Sequence, residues 1–232
     1  MKNMKEAIAR PGRTDIVLAM IILGSAWGFL EVVGGGAMKA AGIPYKGDVL
    51  TGLGIATMAM GVAVFRRPLM LIGIAAIAVG LKQLAVPIVG LPFVCKANSC
   101  LAVMLGGTAL AGAVAVTGRR LSRGTLHRMA TGFSAGLATS VGFYFIGMRL
   151  APCRYLLSFN RPGGFVAFMI AEGLIWAALG AVFFPLGYRV GESLERNVFG
   201  LKVKRPLFYY VSSGLVVAIC WIASGLAIAS GL

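Results

Sequence analysis

Apolar residues along this chain fall in runs too continuous for alternating strands and too long for most soluble core helices. A bilayer crossing takes about 20 mostly apolar residues. Seven runs approach or exceed that length: 16–37, 49–65, 68–91, 101–118, 129–150, 165–188 and 207–229. The breaks between them hold charged or chain-breaking residues, such as Arg66-Arg67-Pro68, Pro92, the basic stretch 118–128, and 189–206. The pattern predicts an all-α, polytopic transmembrane helix bundle of six to seven spans. The second and fourth runs are short, and in the six-span version one short run is re-entrant or lies at the interface. No break can hold a separate soluble domain, which takes about 50 residues or more, so 1–232 is expected to be a single transmembrane domain.

Composition agrees. The 232 residues are 59% hydrophobic and 12% charged, with a mean hydropathy of +0.89. Soluble domains carry about 25% charged residues, so a soluble enzyme, a disordered chain and a secreted disulfide scaffold are excluded. The first run exceeds the roughly 7–15 residues of a signal-peptide core, contains Glu31 and lacks a small-x-small cleavage site. It reads as the first span.

Twenty-two Lys and Arg against seven Asp and Glu give a net charge of +15. Most of these basic residues lie between apolar runs, with no stacking-aromatic motif among them, so the lipid bilayer rather than nucleic acid is the expected partner. Fifteen fall on the N-terminal segment and the breaks after the second, fourth and sixth runs. Six fall on the other side: Lys39, Lys46, Lys96, Arg149, Arg154 and Arg161. Basic residues collect on the cytoplasmic side. The N-terminus is therefore expected in the cytoplasm and the C-terminus outside a multi-pass inner or plasma membrane.

Small residues recur at four-residue spacing, as in Gly24/Gly28, Gly107/Ala111/Ala115, Gly132/Gly136/Ser140 and Gly173/Ala177/Ala181. Such faces let membrane helices approach closely. They serve either packing inside the bundle or docking of a partner.

Ionisable residues inside a span cost at least about 2.5–3.5 kcal/mol each at mid-membrane on insertion scales and usually face protein or water. Glu31, Lys82 and Glu172 are such residues. At 1.5 Å per residue, Glu31 and Lys82 lie about 22 and about 21 Å along their outward-running spans, and Glu172 about 10 Å below the outer surface. All three then share the outer half of the membrane, with Gln83 beside Lys82 and Arg149 ending the fifth run on the same side. They form either an outward-facing pocket or a buried Glu–Lys pair that fixes helix arrangement, unless Lys82 snorkels to the interface. Trp27 and Trp176 each lie four residues from a glutamate, on the same helix face, and one turn deeper in the membrane. They are candidate apolar walls. Gly34-Gly35-Gly36, with Gly42 and Pro44, is expected to end the first span irregularly near the mouth.

Cys95, Cys100 and Cys153 read as outer-loop residues, where an oxidising exterior permits a disulfide among them; Cys220 lies in the last run. The Cys-x4-Cys spacing is not that of thiol oxidoreductases, which leaves redox catalysis a minor alternative. His127, the one histidine, sits in a basic loop without a clustered ligand set, so no metal and no cofactor is expected. Phosphate-loop, zinc-protease and nucleophile-elbow motifs are missing. The chain is not expected to be an enzyme.

In outline the sequence resembles the substrate-binding S components of energy-coupling-factor transporters, on Gly24, Ala26 and Gly28 in the first span and the 48–61 segment leading into the second. The resemblance implies a small glycine-rich bundle that binds a vitamin or metal from outside and docks a membrane coupling subunit and ATPases. The apparent seventh span departs from the family's usual count, and the N-terminal histidine of its metal-binding branch is missing. The reading is a transport-related protein binding a small polar or amphipathic solute through Glu31, Lys82, Glu172, Gln83 and Arg149, with Trp27 and Trp176 as walls. The alternatives are an ion- or proton-coupled carrier, or a non-catalytic structural subunit.

Overall fold

The computed structural model describes residues 12–231, apart from the side chains of residues 94, 95, 196, 197 and 199. Lys2, Lys5 and Arg10, counted above for orientation, lie outside the described residues, as do the side chains of Arg196 and Cys95. The described chain is helical, without strands. Among the described residues, seven helical segments are long and apolar enough to cross a membrane: α1 (Arg13–Ala40), α2 (Lys46–Phe65), α3 (Met70–Val89), α4 (Ala97–Arg123), α5 (Thr125–Leu150), α6 (Gly164–Lys204) and α7 (Pro206–Ala229). The chain is an all-α, multi-pass membrane protein.

Lipid is as apolar as leucine, so helices in a membrane are held by close packing and hydrogen bonds rather than by the hydrophobic effect. The small residues do this here. Gly132 of α5 and Gly180 of α6 each lie against the other's carbonyl, and Gly136 lies on the backbone at Trp176. Further along α6, Gly187 and Gly191 lie on the backbone of α2 at Ala56 and Met60. The sixth span is therefore clamped between α2 and α5. On the other side of the bundle Gly24 and Gly28 seat α1 on Ile74, Ala78 and Leu81 of α3, and Gly107 of α4 lies on Leu71 and Ala75. The Gly24–Gly28 face is thus covered by the protein's own third span. The last helix packs on α1 and α6, where Trp221 Nε1 donates to Ser25 Oγ at 2.9 Å. Large apolar side chains such as Val116, Ile170, Leu215 and Ile222 point outward.

The structure corrects three boundaries. The sixth span is expected to stop at 188, but its helix, which carries Pro185 in its interior, continues to Lys204. The extension is amphipathic, which a search for apolar runs passes over. Leu194, Val198 and Leu201 share an apolar groove with Ala19 of α1 and Val216 of α7, while Glu192 accepts two bonds from the Arg128 guanidinium at 3.1 and 2.9 Å. The triple glycine does not end the first span. The helix runs on to Ala40 and the chain turns at Gly42, whose φ of +66° suits glycine. The 92–100 segment was read as a loop, yet α4 begins at Ala97. Its polar opening residues are satisfied by neighbours: Asn98 Nδ2 donates to the Ala151 carbonyl at 2.8 Å, and Ser99 Oγ receives a bond from Lys82. Cys100 is therefore a buried helical residue rather than an outer-loop one.

Candidate functional site

The three intramembrane ionisable residues each sit where a helix departs from α geometry. Glu31 lies in a π-helical turn, Leu30–Gly34, and Glu172 in another, Met169–Gly173. Lys82 is the last residue of the helix Met70–Lys82, before a short break and the helix Ala85–Val89. π turns are rare and cluster at functional sites. Their wider i→i+5 pitch re-aims the side chains that follow. Trp27 lies before its π turn and donates Nε1–H to Glu31 Oε1 at 3.2 Å. Trp176 lies after its own and donates to Asp48 Oδ1 of α2 at 2.6 Å, with the Glu172 carboxyl also within its reach.

One cavity of about 390 Å³ joins the two glutamates, the two tryptophans and Asp48. Trp27 and Glu31 line it from α1, Asp48 and Thr51 from α2, Ser99 and Val103 from α4, Phe143 from α5, and Phe168, Glu172 and Trp176 from α6. Tyr155, on the short helix Arg154–Leu157 that joins α5 to α6, closes one side and donates its hydroxyl to Glu172 Oε1 at 2.5 Å. Burial, then the bond to the Glu172 carboxylate, raises the Tyr155 phenol above its usual range, so it stays protonated and keeps donating at physiological pH. Each carboxylate of the cavity thus holds one aromatic donor: Trp27 on Glu31, Trp176 on Asp48, Tyr155 on Glu172. These bonds fix ring and carboxylate together, and preorganisation of this kind lowers the cost of binding.

Lys82 stands behind Glu31 rather than in this cavity. Its Nζ donates to Glu31 Oε2 at 2.6 Å and to Ser99 Oγ, and both side chains of the pair are 8% exposed. A lysine so enclosed does not snorkel. Gln83 faces away from the cavity; its Nε2 donates to Cys100 Sγ at 3.2 Å, and its Oε1 is buried without a donor. Arg149 is exposed on the last turn of α5 and does not line the cavity. Cys153 lines it, caps the short helix by accepting from Leu156 N at 3.4 Å, and is a free thiol, as are Cys100 and Cys220.

Asp48 and Tyr155 were not singled out from the sequence as site residues. Both lie outside the apolar runs, where a search for charge inside spans does not look. The available signal for Asp48 was its sign, an acidic residue in an outer connection otherwise holding lysines. Compared with protein families, curated proteins and solved structures, the chain has no match.

Proposed function

We propose that the protein is a transport-related membrane protein that binds a small polar or amphipathic solute in this cavity, from the outer side. The supporting observation is the convergence of three carboxylates, each held by an aromatic donor, around one cavity of about 390 Å³. That volume lies within the roughly 300–1,000 Å³ of ordinary small-molecule sites. Apolar walls of Trp27, Trp176, Phe143 and Phe168 suit the body of an amphipathic molecule, and the carboxylates its polar groups. Outward access follows from the charge asymmetry of the loops, since the cavity opens at the end of the bundle that carries Tyr45 and Lys46.

A coupling subunit and ATPases, as the energy-coupling-factor resemblance implies, would dock on a face other than Gly24 and Gly28, which α3 covers. In the competing carrier reading, the neighbouring carboxyls of Asp48 and Glu172 would exchange protons during transport.

Native mass spectrometry of protein extracted gently from its membrane tests the reading. Wild-type protein is expected to carry a bound solute of low mass. Glu172→Gln, which keeps the shape of the side chain and removes its charge, is expected to lose most of that adduct while remaining folded. Equal occupancy in the two proteins, or an unliganded wild type, would count against a solute site at Glu172.

A further inference from the structure

A second cavity, of about 300 Å³, adjoins the first and shares Glu31, Lys46, Gly47 and Ser99 with it. The two carry opposite charge. Asp48 and Glu172 line only the first, Lys39 and Lys96 only the second, and Lys46 stands between them, lining both. At the partition Glu31 and Lys82 cancel each other. Among the described residues, none of Asp48, Glu172, Lys39, Lys46 and Lys96 forms an ion pair. Asp48 is only 5% exposed; Trp176 donates to its Oδ1, and the Glu172 carboxyl lies within hydrogen-bond reach of it. A buried carboxylate without a counter-charge is costly, and here a second carboxylate neighbours it.

We infer that the double cavity holds a zwitterionic amphipathic solute, its cationic end between Asp48 and Glu172 and its anionic end among Lys39, Lys46 and Lys96. The inference rests on the solute-site reading above and names the ligand's charge. A cationic end supplies the missing counter-charge, and an ammonium or amidinium is further favoured by the aromatic walls. The three lysines are compact point charges suited to carboxylate or phosphate. A simple cation would leave these lysines unpaired and be repelled on entry, while a simple anion would be repelled by Asp48 and Glu172. Only a solute with both ends complements both fields, which is how charge arrangement confers specificity. A bare metal ion fits less well, since among the described residues no three His, Cys, Asp or Glu groups converge as ligands.

Three probes built on one ring separate the cases: para-(aminomethyl)benzoate, which carries both charges, benzylammonium and benzoate. Binding to the purified full-length chain in lipid nanodiscs at neutral pH is read by calorimetry. The zwitterion is expected to bind about tenfold or more tighter than either single-charge probe. Asp48→Asn should abolish its preference over benzoate, and Lys46→Gln its preference over benzylammonium. Lys46 and Lys96 are exposed, so their glutamine variants keep the test available should Asp48→Asn fail to fold. Either single-charge probe binding within about threefold of the zwitterion overturns the inference, as does no binding by any of the three. A benzoate affinity equal to the zwitterion's would mean that Asp48 and Glu172 share a proton instead. The native mass spectrum separates the two failures. An adduct of single charge type, or one retained by protein that ignores all three probes, overturns the zwitterion and leaves the solute site standing; an absent adduct removes the site itself.

Discussion

Replacing Lys82 with methionine is expected to destabilise the protein by about 3–5 kcal/mol, the cost of leaving one member of a buried ion pair uncompensated. Glu31 and Lys82 are each 8% exposed in their side chains and meet at 2.6 Å. Methionine keeps most of the length of the lysine stem, so the space is largely filled while the charge of Glu31 loses its counterion. The double variant Glu31→Gln, Lys82→Met should recover more than half of the loss, because a site without either charge carries no desolvated ion. Denaturant titration in detergent of the wild type, Glu31→Gln, Lys82→Met and the double variant gives the coupling. Equal destabilisation by the single and double variants would show that the pair is not electrostatically linked.

The second large effect concerns the crossing of α5 and α6. A Cβ at Gly180 would meet the carbonyl of Gly132, and one at Gly132 the carbonyl of Gly180. Neither neighbour is a flexible side chain that can move aside, so the helices must separate. Overpacking ordinarily costs about 1–3 kcal/mol and occasionally more; Gly180→Val is expected at or above the top of that range, with Gly180→Ala intermediate. Gly112 has open space where its Cβ would stand, and Gly112→Ala is expected to be near neutral. Because Trp176 lies one turn from Gly180 and its carbonyl lies against Gly136, separation of this crossing should also lower solute occupancy. A stability ranking with Gly112→Ala below Gly180→Val would contradict the packing described.

The extent to which this arrangement was legible in the sequence follows from what each signal measures. Length and continuity of apolar runs give the spans directly, because hydrocarbon imposes both. They misplace the end of α6, where amphipathic rather than uniform apolarity carries the helix on to Lys204. Position along the spans sets Glu31, Lys82 and Glu172 at one level, and the structure places Glu31 and Glu172 on one cavity with Lys82 behind Glu31. Depth fixes only one coordinate. It does not say which way a side chain points, which is why Gln83 and Arg149, at suitable levels, face elsewhere. It also takes no account of what lies beyond the apolar runs, and Asp48, in the first turn of α2, and Tyr155, on the connection from α5 to α6, enter the cavity from there. The π turns at both glutamates have no sequence rule, and the bond from Trp176 to Asp48 joins α6 to a residue that a search of the spans for paired charges does not reach.

The central claim is that the groups around Glu31, Asp48 and Glu172 face water entering from outside rather than lipid. It is tested most directly by cysteine accessibility in intact cells, in a variant whose four native cysteines are replaced by alanine. Thr51 lines the cavity one turn below Asp48, whereas Ile170, two residues from Glu172, points outward and is 65% exposed on the apolar surface. A thiol in lipid does not ionise and stays unreactive. Thr51→Cys is therefore expected to react with a membrane-impermeant thiol reagent added outside, and Ile170→Cys to remain unmodified. Modification of Ile170→Cys with Thr51→Cys silent would contradict the account.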